Sequence, residues 1–400
     1  MDISKKKIRY QSLLEDIYTE ERKRQQIVLS GDRTLAPNLD SVSEVLDEYY
    51  CTYKLNLYCA YLSYQFIVHE KLNPYQETDF LLIPNIIQLI ESQKLKHPAI
   101  LIYDRIRKLF ESVNTTDIND KKQLEECISA IKSYEQQEHL EECAEMYSLV
   151  NNYCIKKINE GFDSYKVYFW KSSYGIVQIQ YKSIGKTLQN IDPNLFRNTA
   201  LLALSIKDHS IFHNLSIEGW ENVQNGFDWV EQFINIYGKT LIKSNLGKII
   251  LQYCKAYLEF ERGNFARAYK IFNNRMRVQN TFINLSMKAL HLKILYEVNI
   301  RKAKVLEYDK IEIRQVLDAF RKLMKNEEKS RQALSYQLSI YTDFLAKYRK
   351  LLQFFYRYYA QVNNSQKPNF VQQKRELEDF ITAKKQAHNG WFLSKLEAIQ

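Results

Sequence analysis

Glycine and proline are scarce. Ten glycines and six prolines in 400 residues fall well below average usage, which would supply roughly 28 and 20. That shortage leaves too few turn residues for a sandwich or barrel of short strands. Six cysteines, Cys51, Cys59, Cys127, Cys143, Cys154 and Cys254, include no CxxC pair and no framework spacing, so a disulfide scaffold is not indicated. They are read as reduced core thiols of a cytoplasmic protein. Long hydrophobic runs are also missing. The most apolar stretch, FLLIPNIIQLI at 80–90, is about half of the ~20 residues a membrane-spanning helix needs. The amino terminus, MDISKKKIRYQSLLEDIY, is basic and then amphipathic, without the apolar core and cleavage site of a secretory signal.

What is abundant is aromatic and helix-forming. The chain holds 29 tyrosines and 20 phenylalanines, and 45 % of its residues are hydrophobic, enough to bury a core. The net charge of +10 is spread along the chain without a run of five like charges, as expected of solvated helix faces. Apolar residues recur at three and four positions, the spacing that gathers side chains on one helical face. Residues 8–29 read as a helix and 29–41 as a linker. A long helix then follows, with Val42, Val45, Leu46, Tyr49, Tyr50, Tyr53, Leu57, Ala60, Tyr61 and Tyr64 on its apolar stripe. Further helices are predicted at 79–93, 98–112, 119–135, 139–160, 163–180, 193–207, 209–222, 227–238, 244–261, 265–276, 281–299, 308–324, 329–361 and 369–397. Nothing alternates with a strand's period, so the expected class is all-α.

The stretch AYLEFERGNFARAYKIF at 256–272 places small residues at Ala256 and Ala268, a turn glycine at Gly263 and aromatics at Phe265 and Phe272. A similar glycine–aromatic step occurs at Gly161–Phe162 and at Gly226–Phe227. The intervals fit helical hairpins of 30 to 40 residues, the period of stacked repeats. The pattern resembles the tetratricopeptide repeat, with Glu259 where that motif usually carries an aromatic residue. The expected architecture is a right-handed α-solenoid of degenerate tetratricopeptide-like hairpins over 40–361, preceded by an N-terminal helix and linker at 1–39 and closed by a C-terminal capping helix at 362–400.

A wider resemblance rests on LDEYYCTYKLNLYCAYLSYQ at 46–65, DFLLIPNIIQLIE at 79–91, HPAILIYDRI at 97–106, YSLVNNYCIKKINEG at 147–161 and FHNLSIEGWENVQNGFDWVEQFI at 212–234. These segments are similar to a group of uncharacterised helical-repeat proteins from Bacteroidota. The resemblance implies an α-solenoid in a bacterial cytoplasm and no particular activity. Members of that group carry a further amino-terminal helical region, most of which this chain is expected to lack.

Candidate chemistry is thin. Gly185-Lys186-Thr187 and Gly238-Lys239-Thr240 look like ends of phosphate loops, but Gln180 and Phe233 stand where such a loop needs another glycine. Both glycines are read as helix C-caps. His209 and His213 are spaced for one helical face, and His139, Glu142 and Cys143 for one turn, without a third and fourth ligand to complete a metal site. Glu125, Glu126, Glu138, Glu141, Glu142 and Glu145 read as solvent-facing carboxylates. In AKYRKLLQFFYRYYAQ at 346–361, Lys347, Arg349, Lys350 and Arg357 interleave with aromatics, as nucleic-acid binding would require. The stripe Phe344, Tyr348, Leu351, Leu352, Phe355 and Tyr359 instead reads as core, with the basic residues on the outer face. No catalytic, cofactor or metal residue is assigned. The functional expectation is a non-enzymatic scaffold that binds a peptide or partner protein, the alternative being a nucleic-acid-binding array. Asn151, Asn214, Tyr253 and Tyr257, on first helices of pairs, are the candidate partner-binding residues.

Overall fold

The computed structural model describes residues 39–67, 80–112, 117–136, 139–185, 190–214, 223–272, 278, 280–300, 307–330, 335–362, 370–383 and 388–398. The helix read at 8–29 and nearly all of the following linker lie outside them. Among the described residues there are fifteen α-helices and no strand, so the chain is all-α. None of these helices is long and apolar enough to cross a membrane. The chain divides into two compact units, Met1–Ser183 and Ile184–Gln400.

The first unit contains α1 (Leu39–Ile67), α2 (Ile83–Glu91), α3 (Pro98–Glu111), α4 (Asp117–Glu135), α5 (Leu140–Asn159) and α6 (Lys166–Lys182), with a 3-10 turn at Asp163–Tyr165 before the last. Proline begins α2 and α3 near their first positions, where its missing N–H removes no intrahelical bond. Helix α1 packs on α2, α3 and α5, and α4 packs on both α5 and α6. The face that α1 buries is Cys51, Leu55, Cys59 and Leu62, which corrects the tyrosine-rich stripe read from sequence. Tyr50 and Tyr64 on that stripe are exposed. A tyrosine ring is apolar with a polar tip and sits at a half-wet surface, whereas a thiol packs as a small hydrophobe. All six cysteines are buried and free. Burial pushes the Cys127, Cys143 and Cys254 thiols up to about 12, so they pack as neutral groups.

A carboxylate is buried in the same unit. Asp120 of α4 is fully inaccessible and accepts hydrogen bonds from the Tyr153 phenol of α5 at 2.6 Å to each oxygen and from the Tyr165 phenol at 2.5 Å. The Lys157 ammonium lies 3.2 Å from Asp120 and 5.5 Å from the centre of the Tyr153 ring. Three consecutive elements are therefore tied to one charge.

The second unit contains α7 (Pro193–Ser205), a 3-10 turn at Ser210–Asn214, α8 (Gly226–Leu241), α9 (Asn245–Glu261), α10 (Phe265–Ile271), α11 (Thr281–Leu295), a π-helical turn at Tyr296–Ile300, α12 (Glu307–Ser330), α13 (Ser335–Val362), α14 (Phe370–Thr382) and α15 (Asn389–Glu397). Side chains of Asp192, Asn225, Ser244 and Asn280 accept from the first free amides of α7, α8, α9 and α11, which is why those helices begin where they do. Successive helices pack on one another, and α9 also meets α7 and α11, as α13 meets α11 and α15.

Hairpin α9–α10 carries the repeat-like stretch. Ala256 and Ala268 are fully buried, and Gly263 turns the chain at φ +80°, a conformation a side chain resists. Glu259 is buried where the tetratricopeptide pattern carries an aromatic. Its carboxylate accepts from Asn264 Nδ2 at 2.9 Å, and its backbone carbonyl from Asn264 N at 2.9 Å, so this residue fastens the turn. Gly161 is also left-handed, at φ +100°. Gly226 is not: it opens α8 and donates its N–H to the Lys207 carbonyl at 2.8 Å, with a would-be Cβ only 2.6 Å from Lys207 Cα. Two of the three glycine–aromatic steps are therefore turns, and the third is a close backbone approach.

Among the boundaries that differ from the sequence reading, three stand out. Of 209–222, the described part forms only the short Ser210–Asn214 turn. Helix α12 continues to Ser330 because Met324 and Glu327 extend its buried face, Glu327 accepting from Thr281 Oγ1 at 2.7 Å. The span 369–397 is two helices, α14 ending where Ala383 bends.

Replacing Asp120 with Ala leaves Lys157 and two phenols without their shared partner. Urea unfolding should show a loss of about 3–5 kcal/mol, against about 1–2 kcal/mol for Tyr165→Phe, which keeps the carboxylate and one phenol. Equal, small losses would show that the network is incidental to the unit's stability. At Gly263, alanine should lower stability by about 1 kcal/mol in the same assay.

Candidate partner-binding site

The four sequence candidates fall in different settings. Asn151 is buried on α5, where its Oδ1 accepts from Ser172 Oγ at 2.6 Å and Ser173 Oγ at 3.3 Å, joining α5 to α6. Tyr253 is 1 % exposed, and burial raises its phenol well above the usual range. Both side chains serve the core, so a partner would have to separate helices to reach them. Tyr257, one turn along α9, is half-buried with its ring 6.0 Å from that of Tyr253. Asn214 ends the 3-10 turn, and its side chain lies outside the described residues.

The other polar groups read from sequence also acquire settings. His209 Nδ1 accepts from Ile211 N at 3.1 Å, so it caps the short turn. His139 precedes α5 and stacks on Tyr134 with centroids 4.5 Å apart, while Cys143 is buried below it. Glu142 and Glu145 are half-buried rather than solvent-facing, accepting from the Tyr134 phenol at 2.8 Å and from Asn56 Nδ2 at 2.9 Å. Burial raises the Glu142 carboxyl. Among the described residues no group of three or more His, Cys, Asp and Glu side chains is placed to hold a metal ion. Gly185 is left-handed at φ +85°, beyond the end of α6. Gly238 lies within α8, not at its end, and a Cβ there would stand 2.7 Å from Leu251 of α9.

Sequence reasoning did not identify the cleft formed by α12, α13 and α14. It is open, with a volume of about 590 Å³, and is lined by Glu328 of α12, by Leu338, Ser339, Thr342, Asp343 and Ala346 of α13, by Phe380 of α14 and by Ala383 just after it. Ser339, Thr342, Asp343 and Ala346 sit at i, i+3, i+4 and i+7, one stripe of the helix. Only this small, mixed stripe could have signalled the cleft, and it is overshadowed by the neighbouring stripe of larger apolar side chains. Phe344, Tyr348, Leu351, Leu352 and Phe355 on that second stripe are buried, as read.

Behind the cleft lies a charged cluster. Lys347 is 1 % exposed, which corrects its placement on the outer basic face. Its ammonium lies 2.6 Å from Asp343 and donates to Asn389 Oδ1 at 2.8 Å. The i, i+4 spacing of Asp343 and Lys347 was the available signal. Next to Asn389, His388 places Nδ1 3.3 Å from the Lys293 ammonium of α11, which also lies 5.4 Å from the Trp391 ring centre. Glu297 of the π turn pairs with Lys395 of α15. Burial pulls Lys293 down to about 8, with Glu261 opposing and Lys395 adding to the fall. Burial, with Lys293 and Lys347 nearby, holds the His388 imidazole well below its usual range. This set of contacts fixes α15 against α11 and α13.

No protein-family model, curated protein or solved structure matches the chain.

The depressed values of Lys293 and His388 fix the sign of a pH dependence. Unfolded Lys293 takes up its proton near pH 10.4, the folded residue only near 8, so this group removes stability as pH falls from about 10.4 to 8. Unfolded His388 protonates near 6.5 while the folded imidazole resists, so stability falls again below that pH. Each slope is bounded by one proton, about 1.4 kcal/mol per pH unit. Urea titrations should therefore show Lys293→Met flattening the alkaline limb and His388→Gln the acidic one. Unchanged limbs in both variants would mean that neither group is held in its neutral form.

Proposed function

We propose that this chain is a non-enzymatic protein-interaction scaffold, an α-solenoid of degenerate tetratricopeptide-like hairpins that binds a peptide or partner protein along a helical surface. The observation that carries the reading is the second unit's plan: helices pack on their chain neighbours and several on next-but-one neighbours, and an open, largely apolar cleft is left between α12, α13 and α14. Stacked hairpins bury their cores between repeats and leave extended surfaces for partners. Six buried free thiols support a reducing, cytoplasmic setting, and the resemblance to helical-repeat proteins of Bacteroidota points the same way.

Nucleic acid is the competing ligand, and the fold weakens its strongest sequence support. Of the four basic residues interleaved with aromatics at 346–361, Lys347 is buried against Asp343 and Lys350 covers the Phe380 ring at 3.4 Å. Large apolar side chains on the surface, such as Leu81, Ile118 and Val371, are better suited to protein than to phosphate.

Capture from host lysate with photo-crosslinking residues at Leu81, Ile118, Thr342 and Val371 separates the two. A discrete protein cross-linked at one or more of these positions and retained after nuclease treatment is expected. Enrichment that vanishes with nuclease, together with direct binding whose affinity falls steeply with salt, would replace the scaffold reading with nucleic-acid binding.

A further inference from the structure

We propose that the α12–α13–α14 cleft takes an amphipathic helix carrying lysine or arginine beside its apolar face. This inference rests on the scaffold reading and specifies the partner's chemistry. Its volume of about 590 Å³ lies within the range of built binding pockets. Four lining positions on α13, Ser339, Thr342, Asp343 and Ala346, carry short side chains on one stripe. Short side chains along a helix flanked by bulkier rows form a groove, and the complementary shape is the ridge of another helix. Phe380 and Leu338 supply apolar walls, so the inserted side chains are apolar.

Charge selects the rest of the ligand. The chain as a whole is +10, yet both ionisable side chains lining this cleft are carboxylates, Glu328 and Asp343. They occupy different settings. Asp343 is held from behind by the buried Lys347 ammonium at 2.6 Å, which anchors it on α13 and offsets much of its charge. Glu328 is exposed on α12 and has no cationic partner among the described residues. On the α14 side, Lys350 lies 3.4 Å over the ring of the lining residue Phe380 and repels a second cation there. A bound helix is thus oriented, with its basic side chain toward α12 and its apolar ridge toward α14. An acidic helix of the same shape meets Glu328 as a like charge, so the net-positive protein has a local preference opposite to its global one.

Two synthetic helical peptides of the same length, one of leucine and lysine and one of leucine and glutamate, test this by fluorescence anisotropy against the full chain. The leucine–lysine peptide should bind and the leucine–glutamate peptide should bind more weakly. Glu328→Lys should weaken the first by about five- to tenfold, and Thr342→Trp, which fills the cleft from an exposed position, should abolish its binding. Circular dichroism of both variants confirms the fold. Equal affinity for the two peptides, or indifference to Glu328→Lys, overturns the cationic preference. Binding that survives Thr342→Trp lies elsewhere and overturns the cleft assignment while leaving the scaffold reading intact. Failure of both peptides to bind also overturns the cleft proposal, and the scaffold reading then stands or falls on the lysate cross-linking alone.

Discussion

A carboxylate removed from water is stable in a protein only when its charge and its lone pairs are all met. Asp120 meets that condition through two phenols and an ammonium drawn from α5 and from the turn that enters α6. Because those partners come from separate elements, the network forms only when α4, α5 and the Asp163–Tyr165 turn are in register together. Apolar packing alone would tolerate small slips between helices. Asp120 does not, so the polar contact sets the register and the surrounding apolar side chains supply most of the burial.

The second unit obeys the same constraint with the sign reversed. Three lysines, Lys293, Lys347 and Lys395, converge on the junction of α11, α13 and α15, and two carboxylates there, Asp343 and Glu297, lie within ion-pair distance of Lys347 and Lys395. Lys293 meets a neutral imidazole and an indole face, with Glu261 as its opposing charge. Burial therefore dominates at this ammonium and pulls it toward the neutral form. The π turn at Tyr296–Ile300 belongs to this arrangement, for it carries Glu297 inward to Lys395 at the point where an added residue per turn re-aims the helix.

Helix existence was legible in the chain because three- and four-residue periodicity survives any tertiary context; the caps Asn225 and Ser244 were not read as such, and Ser244 was counted within its helix. Which face of a helix is buried was less legible. On α1 the large tyrosines outweighed small Cys51 and Cys59 in the pattern, yet tyrosine tolerates a half-wet surface and cysteine does not require one. Single residues with two physical roles were hardest. Lys347 sits in a basic, aromatic segment and reads as surface; only Asp343 four residues earlier, with Asn389 far along the chain, makes it interior. Asn151 reads as surface for the same reason, until Ser172 and Ser173 supply its partners. The cleft was invisible because it belongs to no segment: α12, α13 and α14 each contribute a fraction of its wall.

Lys347 links the two themes. Asp343 lines the cleft with Lys347 directly behind it, so the α13 wall carries a negative group held in one place. Separating the pair would strand the Lys347 ammonium in the core. A residue that looks like part of a basic surface thus positions an acidic one, while the exposed Glu328 is the charge a partner meets directly. Through Asn389, Lys347 is also joined to the helix that His388 and Lys293 hold in place. The negative wall of the cleft and the seat of α15 therefore share one buried cation.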